Sequence, residues 1–117
     1  MNKIYYLKTC DTCKKILKQI NNLEQFELQD IKTDPLTASQ LAEMYQHTNS
    51  YEALFNKRAQ LYKQRNLKDQ QLTEQDYKDL LLEHYTFLGR PVVFFKDELF
   101  VGNAAKTINN MLEKVNF

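Results

Sequence analysis

The sequence predicts an α/β fold whose sheet is assembled from the two ends of the chain. Three observations carry this reading. An apolar strand, an amphipathic helix and a second strand open the chain; the middle is helical throughout; a strand pair and one more helix close it.

The first strand is Ile4-Tyr5-Tyr6-Leu7, a short apolar run rich in β-branched and aromatic residues. It leads directly into Thr9-Cys10-Asp11-Thr12-Cys13-Lys14-Lys15, after which Cys13, Leu17 and Ile20 recur at helical spacing and Ile16 widens the stripe. The helix fades at Asn21-Asn22, and Phe26, Leu28 and Asp30-Ile31 supply a second strand with alternating apolar positions. Strand, helix and strand within about thirty residues make a βαβ unit, hence a parallel pair with a right-handed crossover.

Asp34-Pro35 ends that strand. Thr37 and Gln40 have the spacing of a capping box, with Leu36 and Leu41 placed as a hydrophobic staple, and the helix they open carries Leu41, Met44 and Tyr45 on one face before stopping near Asn49-Ser50. Tyr51, Leu54 and Phe55 suggest a short helix, followed by the basic stretch Asn56-Lys57-Arg58; Leu61 and Leu67 mark another short helical piece. Leu72, Thr73 and Tyr77 repeat the staple-and-cap pattern, with Asp76 at the third helical position, and Tyr77, Leu80, Leu81 and His84 follow on one face.

Gly89-Arg90-Pro91 punctuates, and Val92-Val93-Phe94-Phe95 is the strongest strand signal in the chain. Lys96-Asp97-Glu98 is a polar turn and Leu99-Phe100-Val101 returns, so the pair reads as a β-hairpin. Gly102-Asn103 breaks it, and Ala104, Ala105, Ile108, Met111, Leu112 and Val115 mark a C-terminal amphipathic helix. This order is the thioredoxin-like plan with a helical insertion, about residues 36–88, between the second and third strands. A single domain over 1–117 accommodates it.

Composition narrows the function. A chain of 117 residues holds one domain with a real core, and its 43% hydrophobic and 26% charged residues are ordinary for a soluble globular protein. A formal net charge of +1 gives no global attraction to nucleic acid or an anionic membrane. No apolar run approaches membrane-spanning length, and Met1-Asn2-Lys3-Ile4 runs straight into a strand without a signal-like segment. With only two cysteines, closely spaced, the expected compartment is the reducing cytoplasm rather than one that favours a disulfide scaffold.

The two cysteines carry the chemistry. Both stand at the first turn of a helix, where unpaired N–H groups and the helix dipole favour negative charge, and the thiolate is the reactive form of cysteine. C-x-x-C beside a βαβ unit is a redox pattern. Two unreactive helix-start thiols, or half of a zinc site, would share the spacing; zinc normally takes four ligands, and His47 and His84 stand isolated. His84, on an apolar helical face, reads as a packed boundary residue.

Taken together, the strand-C-x-x-C-helix start, Asp34-Pro35-Leu36-Thr37 leading into a helix, Arg58 within Asn-Lys-Arg, and Arg90-Pro91 before an apolar strand resemble the arsenate reductase (ArsC) family, including its Spx and YffB branches, from about Ile4 to Ile108. The resemblance implies a thioredoxin-like fold with an inserted helical subdomain, a nucleophilic cysteine at Cys10, and arginines that hold an oxyanion. It also implies a cis-proline at Pro91 facing the cysteine loop. Arg58 and Arg90 are the candidate clamps, since a guanidinium offers permanent charge and a planar fork, and Lys14 adds a point charge. Cys10, at the loop-to-helix junction, is expected to attack, and Cys13, about one turn further on, to resolve the product into a disulfide. No bound cofactor is expected; glutathione, glutaredoxin or thioredoxin would be the external reductant. The implied function is an arsenate reductase-like thiol oxidoreductase acting on an oxyanion or disulfide. The alternative is an Spx-like redox-sensing regulator that binds RNA polymerase. Two departures bear on that choice. Arsenate-reducing members carry a third arginine after the last strand, in Gly-Arg-Pro, where this chain has Gly102-Asn103-Ala104. Glutaredoxin-coupled reductases generally lack a cysteine at Cys13, which Spx-type regulators carry.

Overall fold

The computed structural model describes residues 1–116. Backbone contacts divide the chain into two compact units, one made of Met1–Asp34 with the segment from Arg90 onward, the other of Pro35–Gly89.

The first unit is built on a mixed four-stranded sheet. Its strands are β1 (Asn2–Tyr6), β2 (Glu27–Asp30), β3 (Val92–Phe95) and β4 (Glu98–Val101), in the order β2-β1-β3-β4. β1 pairs parallel with β2, setting Ile4 beside Leu28 and Tyr6 beside Asp30. It pairs antiparallel with β3 (Ile4 beside Val93), which pairs antiparallel with β4 (Val93 beside Phe100). Two helices belong to this unit: α1 (Asp11–Leu17) between β1 and β2, and a second, Ala105–Val115, after β4. Successive strand residues point to opposite faces. On one face Ile4 and Val93 join Ile16, Leu17, Ile20, Phe26, Met111 and Val115 in a continuous core. Burying a large apolar side chain contributes roughly 1.5–3 kcal/mol, and this cluster is what a helix as short as α1 depends on.

The helical unit carries α2 (Ala38–Thr48), α3 (Gln60–Gln64) and α4 (Glu74–Glu83), interspersed with single 3₁₀ turns at Glu52–Leu54, Leu67–Asp69 and Tyr85–Phe87; the C-terminal helix Ala105–Val115 of the first unit is therefore α5. Both capping boxes form. Thr37 accepts from the Gln40 N–H while the Gln40 side chain accepts from the Thr37 N–H, and Thr73 and Asp76 do the same for α4. Asn49 closes α2 in the left-handed conformation that asparagine tolerates. Phe55 packs against Tyr62, Tyr77 and Phe87 within this unit.

Three local expectations are corrected. α1 stops at Leu17, so Ile20 is a buried residue of the following turn rather than a fourth helical position. In β2 the alternation fails. Leu28 shares a sheet face with Ile4 but lies on the edge strand and stays 42% exposed; Gln29 is buried instead, its amide donating to the Asp34 carbonyl at 2.9 Å. His84 lies just past α4 in extended conformation, and its Nδ1 accepts the Thr86 N–H at 3.2 Å, capping the next turn. Among the described residues no helix is long and apolar enough to cross a membrane.

Candidate active site

Between β1 and α1 the chain makes a tight turn in which the Cys10 N–H donates to the Leu7 carbonyl at 3.0 Å. Cys10 is the residue that caps α1. Its backbone is extended, its side chain makes no capping hydrogen bond, and its carbonyl accepts from Lys14 N–H at 3.1 Å. The sulfur is thereby left to face the donors around it. Cys13, one turn on, points inward with Ile16 and Leu17 and is fully buried, whereas Cys10 is partly exposed. Both are free thiols.

The two sulfurs are unequal for reasons the geometry supplies. Burial on its own would push the Cys10 thiol up. It is outweighed by the Cys13 N–H, the Cys13 thiol, the Arg90 guanidinium and the Thr12 N–H, which together hold Cys10 below the ordinary thiol range. Cys13 is pushed up to about 11, first by burial and then by the charge and hydrogen bond of Cys10, against opposition from the Leu7 N–H and from Arg90. The Cys10 thiolate is thus stabilised partly at the expense of Cys13, which is the division of labour that a nucleophile and a resolving thiol need.

Arg90 reaches this pair from the far end of the sequence, joined to Pro91 by a cis peptide immediately before β3. Pro91 is buried, and its carbonyl accepts from the Gly102 N–H at 2.9 Å. That bond continues the β3–β4 register by one residue, and Gly102, at φ +88°, a conformation that favours glycine, ends the strand there. Lys14 is exposed one residue after Cys13. Arg58 is exposed in the helical unit just ahead of α3, its N–H donating to Asn56 Oδ1 at 3.0 Å. The structure therefore brings Cys10, Cys13 and Arg90 together within one unit, with Lys14 and Pro91 adjacent in the chain to members of that group, and places Arg58 in the other. Among the described residues no group of three or more His, Cys, Asp or Glu side chains is disposed to hold a metal ion.

One feature of the site escaped the sequence reading. Asp30, at the end of β2, accepts the Lys8 N–H at 3.2 Å and so touches the cysteine turn from 22 residues away. The signal was topological: in a parallel pair the C-terminal end of β2 must lie beside that of β1, where the turn begins.

The inequality of the thiols is open to a direct check. With iodoacetamide, Cys10 is expected to react in the neutral range and to reach its plateau at lower pH than an ordinary thiol. Cys13, with a value of about 11, is almost wholly protonated at neutral pH and should react only under alkaline conditions. Arg90→Gln removes a cation acting on Cys10, so its profile should move up in pH and its neutral rate fall several-fold. An unchanged profile in that variant would remove Arg90 from the site.

A sequence profile described as the ArsC family matches residues 5–111. No curated protein matches the chain in sequence. Solved structures share the fold. A protein titled YFFB superposes with a TM-score of 0.78 at 18% identity, over 96% of this chain and 99% of its own. An arsenate reductase from Vibrio cholerae gives 0.76 at 21%, over 96% and 95%. A protein of Staphylococcus aureus COL, solved by NMR in solution, gives 0.73 at 26%, over 94% and 97%.

Proposed function

The chain belongs to the ArsC family, and from that premise we propose that it is a thiol oxidoreductase in which Cys10 attacks a disulfide or a thiol-reducible oxyanion and Cys13 resolves the product. The observation that carries the reading is the split between the two thiols: a partly exposed Cys10 held below the usual range, and a buried Cys13 at about 11.

With a disulfide R–S–S–R′, the Cys10 thiolate forms a Cys10–S–S–R bond and expels R′–S⁻. Once Cys10 is bonded its negative charge is gone, and with it one of the influences that raises Cys13. Cys13 then becomes easier to deprotonate at the step that requires it. Its proton passes to the departing thiolate, its sulfur attacks Cys10, and R–S⁻ leaves, so the substrate gains two electrons and the protein holds a Cys10–Cys13 disulfide. An external thiol such as glutathione, glutaredoxin or thioredoxin restores the dithiol. Arg90 compensates anionic charge at the attacking sulfur.

Arsenate is the oxyanion suggested by the family, but Asn103 occupies the place of its third arginine. A disulfide, whose reacting S–S bond is itself uncharged, makes smaller demands on this site. The pairing of Cys13 with Cys10 also supports a second reading, a redox switch controlling association with RNA polymerase. Intact-mass analysis of the reduced protein separates these. Exposure to arsenate, to oxidised glutathione and to peroxide should give a two-hydrogen mass loss with glutathione disulfide and catalytic consumption of an added thiol. Oxidation by peroxide alone, together with redox-dependent binding of the polymerase α subunit, would replace the enzyme with the switch.

A further inference from the structure

We propose that Asp30 is a positioning residue for the Cys10–Cys13 pair: from the end of β2, its carboxylate fixes the peptide plane that sets the cysteine turn. The proposal rests on the thiol-oxidoreductase reading for the identity of the reacting atoms and concerns how they are held.

The turn between β1 and α1 has to place successive backbone groups. The Leu7 N–H faces the Cys13 sulfur. The Leu7 carbonyl accepts the Cys10 N–H at 3.0 Å, and the Lys8 N–H goes to Asp30 Oδ1 at 3.2 Å. The Leu7 carbonyl and the Lys8 N–H belong to one planar peptide unit. An acceptor that grips the N–H end therefore aims the carbonyl end, and the carbonyl end holds Cys10. Asp30 is itself well anchored. Oδ1 also accepts the Lys32 N–H at 3.4 Å, Oδ2 accepts the Thr33 hydroxyl at 3.1 Å, and the next residue, Ile31, donates its N–H to the Tyr6 carbonyl at 3.0 Å. The strand ends are thus stitched on both sides of the point where the cysteine turn leaves β1.

The charge state suits the task. Burial on its own would raise the Asp30 carboxyl, but the N–H groups of Lys8 and Lys32, the Thr33 hydroxyl and the Lys8 ammonium hold it below the usual carboxylate range. Asp30 is therefore an acceptor-only anion at neutral pH, and hydrogen bonds to an ionised acceptor are roughly twice as strong as neutral ones.

Two ways of acting on Cys10 have opposite signs, which makes the test decisive. A carboxylate acting only through space disfavours a nearby thiolate, so removing it would lower the pH at which Cys10 reacts. A carboxylate that positions the turn favours the thiolate, so removing it raises that pH. The experiment is the pH profile of Cys10 carboxamidomethylation in the reduced full-length chain, read by intact mass and peptide mapping, with thermal unfolding measured alongside. Asp30→Ala is expected to shift the profile upward and slow the neutral rate several-fold. Asp30→Asn, which keeps an oxygen for the Lys8 N–H, should recover most of the shift. An Asp30→Ala profile that is unmoved or moves downward overturns the proposal, as does an Asp30→Asn profile no better than that of Asp30→Ala. If Asp30→Ala does not fold, Asp30→Glu carries the test, since it keeps the charge and displaces the oxygens by one methylene. An upward shift is then expected, and an unchanged profile overturns the proposal. Alkylation reads Cys10 without turnover, so a wild-type protein that forms no Cys10–Cys13 disulfide with oxidised glutathione would count against the enzymatic reading alone.

Discussion

Cys10→Ser is expected to abolish thiol-dependent reduction, a loss on the order of 10³–10⁶-fold if it follows the scale seen when other enzymes lose their nucleophile. No other group in the described site can replace it. Cys13 is buried and, at about 11, almost wholly protonated at neutral pH. Cys13→Ser should behave differently. The first exchange proceeds, the second has no attacking sulfur, and the protein accumulates a mixed disulfide heavier by one substrate thiol, which a small thiol then releases. Intact-mass spectra with oxidised glutathione distinguish the two variants. Equal turnover by Cys10→Ser and wild type would refute the nucleophile assignment, and failure of Cys13→Ser to trap the adduct would refute the resolving role.

Ile16→Ala is expected to cost about 2–5 kcal/mol of stability, the range for truncating a well-packed core side chain. Ile16 is 5% exposed and packs with Ile4, Val93, Met111 and Val115. α1 has seven residues, too few to be stable without such packing. The denaturation midpoint should fall with little change in slope. The same substitution has a chemical readout, because Cys13 shares the buried stripe of α1 with Ile16 and Leu17. Loosening that helix should let iodoacetamide reach Cys13 at pH values where the wild-type thiol is inert. A variant destabilised to this extent with Cys13 still protected would mean that the thiol is sheltered independently of the core.

Much of the molecule was legible because much of its chemistry is local. The Thr37–Gln40 and Thr73–Asp76 boxes lie within one turn of chain, and both helices begin where those residues place them. The run Val92–Phe95 needs only its own side chains to read as a strand, and the Cys10–Cys13 spacing sets both thiols at one helix terminus. What escaped depends on distant segments. Leu28 is apolar and in phase with Phe26, yet its exposure is decided by β2 being the sheet edge. Ile20 fits the helical period, but the turn after Leu17 is tied by the Asn116 side chain, which accepts the Asn21 N–H and donates to the Gln19 carbonyl, each at 2.8 Å. The Asp30–Lys8 hydrogen bond joins a side chain to a backbone group in the turn that follows another strand, a pairing that periodicity does not record.

The sheet order also bears on how the chain matures as it is synthesised. β1 is central, flanked by β2 and by β3, and the core over it is completed by Met111 and Val115. The residues Pro35–Gly89 are made before either β3 or α5 exists. During that interval, some seconds at 5–20 residues per second, the edge of β1 that β3 will cover is open and the core residues of α1 lack Met111 and Val115. Arg90, whose charge acts on both thiols, is not yet attached to the chain. The nascent polypeptide therefore holds its two thiols without that cation. The part of the difference between the thiols that Arg90 contributes arises only once the segment carrying it has been made and β3 has paired with β1.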